Sequence, residues 1–178
     1  MPKLLLHVHP DSSSPVTRIE VELARTHDML VLTYSILGDL TGLSIPPASA
    51  PVRTDGLWKH MCLEAFLAAG AGYYEYNFSP SGQWAAYRFG AYREGMRDAA
   101  TPDPVIRWSE EEEGVARLVA TLHLPPDLTG RLGLSAIIED KAGNRSFWAL
   151  AHPAGAPDFH HEACFAVSLP SAAETALD

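Results

Sequence analysis

Glu64 is a lone carboxylate inside an otherwise apolar run, "LWKHMCLEAFL" at residues 57–67. A charge there has to be paired, hydrogen-bonded or set on the floor of a groove, because burial without a partner raises a carboxyl pKa and destabilises the fold. Two readings stay open: an ion pair with an arginine such as Arg88 or Arg93, and contact with a ligand. Read as a strand, the run places Trp58, Cys62 and Phe66 on the same side as Glu64. Trp58 follows the turn-like "RTDG" and opens the run, where an indole offers a flat apolar face and an N–H donor at a rim.

A second stretch with chemical potential is "RSFWALAHPAGAPDFHHEACF" at residues 145–165. It joins Trp148 and His152 to a loop ending in Asp158, His160 and His161, and polar ligand contacts collect on such loops. A metal would recruit His160 or His161 with Asp158 and Cys164, but this spacing matches no zinc motif, so no metal site is expected. His7 and His9, two apart on one strand, form a weaker candidate still.

Nucleophilic chemistry finds little support. The chain has no G-x-S-x-G elbow, no glycine-rich phosphate loop and no H-E-x-x-H helix. Glu64 and Glu75 have the residue types of a glycosidase acid/base pair, yet nothing in the sequence sets their separation. A non-enzymatic protein is the expectation, with no catalytic residues.

Bulk properties narrow the partners. A net charge of −9 over 178 residues repels phosphate backbones and anionic lipid, so nucleic acid and membrane surfaces are not expected partners. No apolar stretch reaches spanning or signal-peptide length, which gives a cytoplasmic expectation. In that compartment Cys62 and Cys164 are free thiols, and the sequons at Asn77 and Asn144 carry no glycan. Oligomeric state is left open.

The elements that must position these residues read as short apolar or alternating runs between Pro, Gly, Asp and Ser clusters. That is the pattern of an all-β protein, a two-sheet antiparallel β-sandwich over residues 1–170, with a frayed tail over 171–178. Candidate strands are 3–9, 17–24, 29–37, 60–68, 73–79, 84–90, 105–108, 114–124, 133–140, 145–151 and 164–169. "SPSG" at residues 79–82 and "DKAG" at 140–143 are tight-turn chemistry between neighbouring runs. "SIPPASAPVRTDG" at 44–56 is a long loop, and "SEEEEG" at 109–114 a solvated turn tip.

Parity divides "YYEYNFSPSGQWAAYRFGAYR", residues 73–93, into faces. Tyr74, Tyr76 and Phe78 share one face and Tyr73, Glu75 and Asn77 the other. After the turn, Trp84 and Arg88 share a face opposite Tyr87 and Phe89. The aromatic set with Tyr87 and Phe89 reads as core, while a guanidinium keeps the Trp84 face from being pure core.

Three blocks, "LWKHMCLEAFL", "YYEYNFSPSGQWAAYRFGAYR" and "FWALAHPAGAPDFHHEACF", together resemble the bacterial DOMON-like proteins grouped with type 9 carbohydrate-binding modules. The resemblance implies a β-sandwich with a groove that binds a saccharide or a similar polar metabolite. It makes Trp58 and Trp148 a clamp on the sugar, with Glu64 and Arg88 on its hydroxyls and Trp84, Glu75, Asn77 and His160 as further candidates. Other relatives with this fold bind haem, and Met61 with His160 or His161 would be the ligand pair in that alternative. A third alternative is an interaction module whose groove is vestigial.

Overall fold

The computed structural model describes residues 3–172; the remainder of the expected tail, 173–178, lies outside the described residues. The chain is all-β. Its strands are β1 (Leu4–Val8), β2 (Val16–Arg25), β3 (Met29–Gly38), β4 (Cys62–Ala69), β5 (Gly72–Phe78), β6 (Trp84–Phe89), β7 (Arg97–Asp98), β8 (Val105–Glu112), β9 (Val115–His123), β10 (Arg131–Glu139), β11 (Arg145–Ala149) and β12 (Val167–Ser168). Short 3-10 turns lie at Leu40–Gly42, Leu57–Lys59 and Glu162–Cys164. No helix among the described residues is long and apolar enough to cross a membrane.

Eleven strands follow one antiparallel path, β7-β6-β5-β4-β10-β11-β1-β2-β3-β9-β8, and β12 adds to β10. β1 is the link between the two limbs: Leu4, Leu5 and Leu6 pair with β2, whereas His7 and Val8 pair with β11. The sheet curls until the limbs meet, and the Tyr34 hydroxyl of β3 donates to the Glu64 carbonyl of β4 at 2.7 Å.

The limbs differ in how they are buried. In β3 and β9 the alternation is nearly regular: Leu30, Leu32, Tyr34 and Ile36, with Leu118, Ala120 and Leu122 opposite, are buried and their neighbours are more exposed, Ser35 excepted. Such period-two patterns are what one covered face produces. β4 and β10 are instead buried on both faces along most of their length. One face joins the main core and the other joins a second apolar cluster containing Phe66, Tyr73, Phe89, Phe159 and Phe165.

The two turns form as their chemistry requires. Gly82 (φ 93°) closes the β5–β6 hairpin with its N–H on the Ser79 carbonyl, and Gly143 (φ 86°) closes β10–β11 against Asp140. Residues 44–56 are indeed without a strand, and they run along β6, where the Thr54 N–H reaches the Trp84 carbonyl at 2.8 Å. Three expectations are corrected. The acidic run is mostly the exposed end of edge strand β8, where alternating acids still pair with β9, and only Glu113–Gly114 turns. Residues 57–59 make a 3-10 turn, so Trp58 precedes the strand instead of opening it. Residues 162–164 do the same before the short β12.

Arg25, which no sequence signal singled out, is buried at the base of the fold. Its guanidinium donates to the carbonyls of Leu128 and Pro170 at 2.9 and 2.7 Å and of Pro125 and Pro126 at 3.2 and 3.3 Å. A planar fork of donors suits this task because a proline-rich turn leaves carbonyls without strand partners.

Candidate functional site

The outer face of β4, β5, β6, β10 and β11 is roofed by the loop that follows β11, and a cleft of about 460 Å³ remains between them. Its floor is acidic. Glu64 from β4 and Glu75 from β5 are 2% and 6% exposed, and they share this face because Glu64 pairs with Asn77 and Phe66 with Glu75 across the strands. Its walls are apolar: Tyr87 and Phe89 from β6, Ile137 from β10, Phe147 from β11, and Pro157 and Phe159 from the roof. Trp58 and Met96 stand at the mouth, 47% and 57% exposed.

The acids have few partners. The Ser135 hydroxyl donates to Glu64 Oε2 at 3.3 Å, and the Asn77 amide, oriented to donate, reaches Glu75 Oε1 at 3.2 Å. Glu64 forms no ion pair among the described residues, so the arginine-pair reading does not hold. Burial, and then the charge of Glu75, push the Glu64 carboxyl well above its ordinary value. Burial also raises Glu75, to about 7, against the opposing pull of Asn77 and Arg93.

A hydrogen-bond chain runs into this floor from the roof. The Arg93 backbone N–H donates to the Tyr73 hydroxyl at 3.1 Å, and that hydroxyl lies 2.6 Å from His160 Nδ1. Burial, reinforced by the Arg93 charge, lowers His160 to about 4, so the ring is neutral. In the tautomer with Nδ1 accepting from Tyr73, the ring proton is on Nε2, 3.5 Å from Glu75 Oε2.

The turn after β6 is latched to the roof. Arg93, at φ 53° the one non-glycine residue with positive φ among the described residues, places its guanidinium 2.7 Å from Asp158 Oδ1, and the Tyr92 hydroxyl donates to Asp158 Oδ2. Burial pushes the Asp158 carboxyl up, but Tyr92 and Arg93 together hold it below its ordinary value. A left-handed non-glycine residue is kept only where its surroundings over-determine it, and this latch does so.

The expected site residues divide into two groups. Trp58, Glu64, Glu75 and His160 meet at the cleft, with Asn77 buried behind Glu75. Trp148, Trp84 and Arg88 do not reach it. Trp148 is 4% exposed in the main core with its Nε1–H on Ser146 Oγ at 3.0 Å, so no two-tryptophan clamp forms. Trp84 lies in the same core under the Arg53 guanidinium. Arg88 lies over the Tyr74 ring and donates to the carbonyls of Ala69 and Phe89 at 2.7 and 3.0 Å. A guanidinium is thus satisfied at the edge of the core by backbone oxygens and a ring face, so the face that Arg88 was expected to keep from being pure core belongs to the main core.

The remaining candidates have structural partners. His161 Nδ1 accepts from the Ala163 N–H and caps the last 3-10 turn, while His152 meets the His7 carbonyl and His9 the Gly155 carbonyl. Among the described residues no three His, Cys, Asp or Glu side chains gather as metal ligands would. Met61 is buried in the main core, on the face away from His160.

Sequence reasoning missed Tyr87 and Phe89 as lining residues, together with Arg93, Met96, Phe147 and Phe159. For the first two a signal existed. The tight turn at 79–82 sets Phe78 opposite Trp84, so Glu75 falls opposite Tyr87 and Tyr73 opposite Phe89, all on one face. Comparison with protein-family models, with curated proteins and with solved structures finds no match for this chain.

Proposed function

We propose that this chain is a non-enzymatic binding domain whose cleft takes a small polar ligand with an apolar face, a saccharide or a similar polar metabolite. The observation that carries this reading is the pairing of an acidic, almost fully buried floor with aromatic walls in one cleft of about 460 Å³, large enough for one or two sugar rings. A sugar presents C–H faces to rings such as Phe89 and Trp58 and hydroxyls to Glu64, Glu75 and the His160 Nε2–H. Trp148 and Arg88 have no part in this version of the site.

The curled sheet is read, in the same proposal, as a DOMON-like β-sandwich, since its limbs share one core and its groove lies on an outer face. Two buried, unpaired cysteines, Cys62 and Cys164, favour a reducing, cytoplasmic setting. Haem is not favoured, because Met61 and His160 stand on opposite faces of β4 and its neighbours.

The test is a panel of mono- and disaccharides titrated into the folded protein while tryptophan emission and binding heat are followed. Silence across the panel would remove the saccharide reading. Turnover of an aryl glycoside, lost in Glu64→Gln, would replace it with a hydrolytic one.

A further inference from the structure

The cleft floor has a charge imbalance that a neutral sugar does not resolve. Glu64 and Glu75 stand on one face of β4 and β5, Glu64 with a hydrogen bond from the Ser135 hydroxyl and Glu75 with one from the Asn77 amide and His160 Nε2 3.5 Å away. The nearest guanidinium, Arg93, is committed to Asp158 at 2.7 Å. His160 has Nδ1 filled by the Tyr73 hydroxyl and offers Glu75 only the neutral Nε2–H. A ligand hydroxyl would give either acid a hydrogen bond but no counter-charge, so the pair would keep the protons that burial holds on it.

We propose that the cleft selects a ligand bearing a primary ammonium group, an amino sugar over its neutral counterparts, with the ammonium seated between Glu64 and Glu75. This rests on the reading of the cleft as a saccharide site and names the class of sugar. An ammonium brings three donors and one positive charge to two carboxylates that hold few donors of their own. The rings of Tyr87, Phe89 and Phe147 line the same cleft and favour a cation over their faces. A net charge of −9 draws cations toward the mouth.

Proton release gives this inference a signature. The groups facing the pair are Cys62 from β4, Tyr73 from β5, Tyr87 from β6, and Arg93, Asp158 and His160 from the turn and roof, with the Tyr34 hydroxyl on the Glu64 carbonyl from the core side. Burial pushes Glu75 up to about 7 and Glu64 well above its ordinary value, and lowers the facing His160 to about 4. Near neutral pH the empty pair therefore retains protons that an ammonium displaces. Binding releases protons and weakens on acidification.

Calorimetric titrations of the whole chain with glucosamine, N-acetylglucosamine and glucose test this, in two buffers of different ionisation enthalpy at pH 7 and again at pH 5. Glucosamine is expected to bind at least about tenfold more tightly than either neutral sugar, to release protons, and to weaken about tenfold at the lower pH. Glu75→Gln, with its fold checked by circular dichroism, should remove both the preference for glucosamine over the two neutral sugars and the proton release. Equal binding of all three sugars would overturn the ammonium inference and leave the saccharide reading standing. Binding of none would remove both.

Discussion

Glu75 of β5 and His160 of the roof lie 3.5 Å apart and titrate in inverted order, the acid at about 7 and the imidazole at about 4. Each is shifted toward its neutral form, as burial demands of both. Their effects on stability are opposite in sign. Between about pH 4.5 and 7 the folded chain keeps a proton on Glu75 that the unfolded chain gives up, so stability falls as pH rises through that window. Between about 4 and 6.5 the unfolded chain takes up a proton that folded His160 refuses, so this contribution is present at neutral pH and is lost on acidification.

Glu75→Gln should therefore stabilise the protein above pH 8 by about 2–3 kcal/mol and have little effect near pH 4. Urea unfolding across that range measures the difference. A pH-independent offset would contradict the burial argument.

Tyr73 connects the latch to the floor, its hydroxyl hydrogen-bonded to His160 Nδ1 at 2.6 Å and accepting from the Arg93 N–H. Tyr73→Phe keeps the ring that stacks on Phe89, centroids 4.8 Å apart, and leaves two polar groups without partners. The expected loss is about 1–3 kcal/mol, with a change in the His160 tautomer visible in its nitrogen chemical shifts. Unchanged shifts would mean that the hydroxyl does not set the tautomer.

Trp58 and Trp148 should separate binding from stability. Trp58→Ala at the exposed mouth is expected to change stability by under about 0.5 kcal/mol while weakening the proposed ligand. Trp148→Ala, in the main core, should destabilise by about 3–5 kcal/mol. Comparing midpoints of chemical unfolding decides this, and equal midpoints in the two variants would refute the assignment.

Gly72 sits at the β4–β5 turn, and a Cβ there would overlap the Phe89 carbonyl oxygen. Gly72→Ala must push β6 away from β5 at the point where Phe89 supports the cleft wall. A loss of about 1–3 kcal/mol is expected, together with weaker binding, and calorimetric melting is the readout. A neutral outcome would show that the hairpin end yields freely.

Much of this fold was legible because its causes are local. Alternation in residues 16–25, 29–38 and 115–123 marks strands with one covered face. Turn chemistry at 79–82 and 140–143 marks the hairpins. Glu64 stood out because a carboxylate in an apolar run needs an explanation, and Glu75, Asn77 and His160 entered as candidates beside it. Tyr87 and Phe89 are buried as expected, but in the second cluster that walls the cleft, and Trp84 and Arg88 were misassigned by parity taken strand by strand. The register of a two-strand hairpin carries the missing information, since residues opposite one another share a face.

Other features depend on contacts between distant segments. The near-continuous apolar runs of β4 and β10 suit burial on both sides, but parity does not say that a loop from residues 150–166 covers the second face. Trp148 could have faced either way, and its burial is decided by the main core between the limbs. The latch of Tyr92 and Arg93 on Asp158 spans 66 and 65 residues. By itself the sequence determined the strands, their turns and the oddity of a buried acid, all of which rest on steric and solvation preferences within a few residues. Only the tertiary structure decided that this acid lies beside a second one beneath an aromatic roof, because that arrangement is made by the register of β4 on β5 and by long-range packing of the loop after β11.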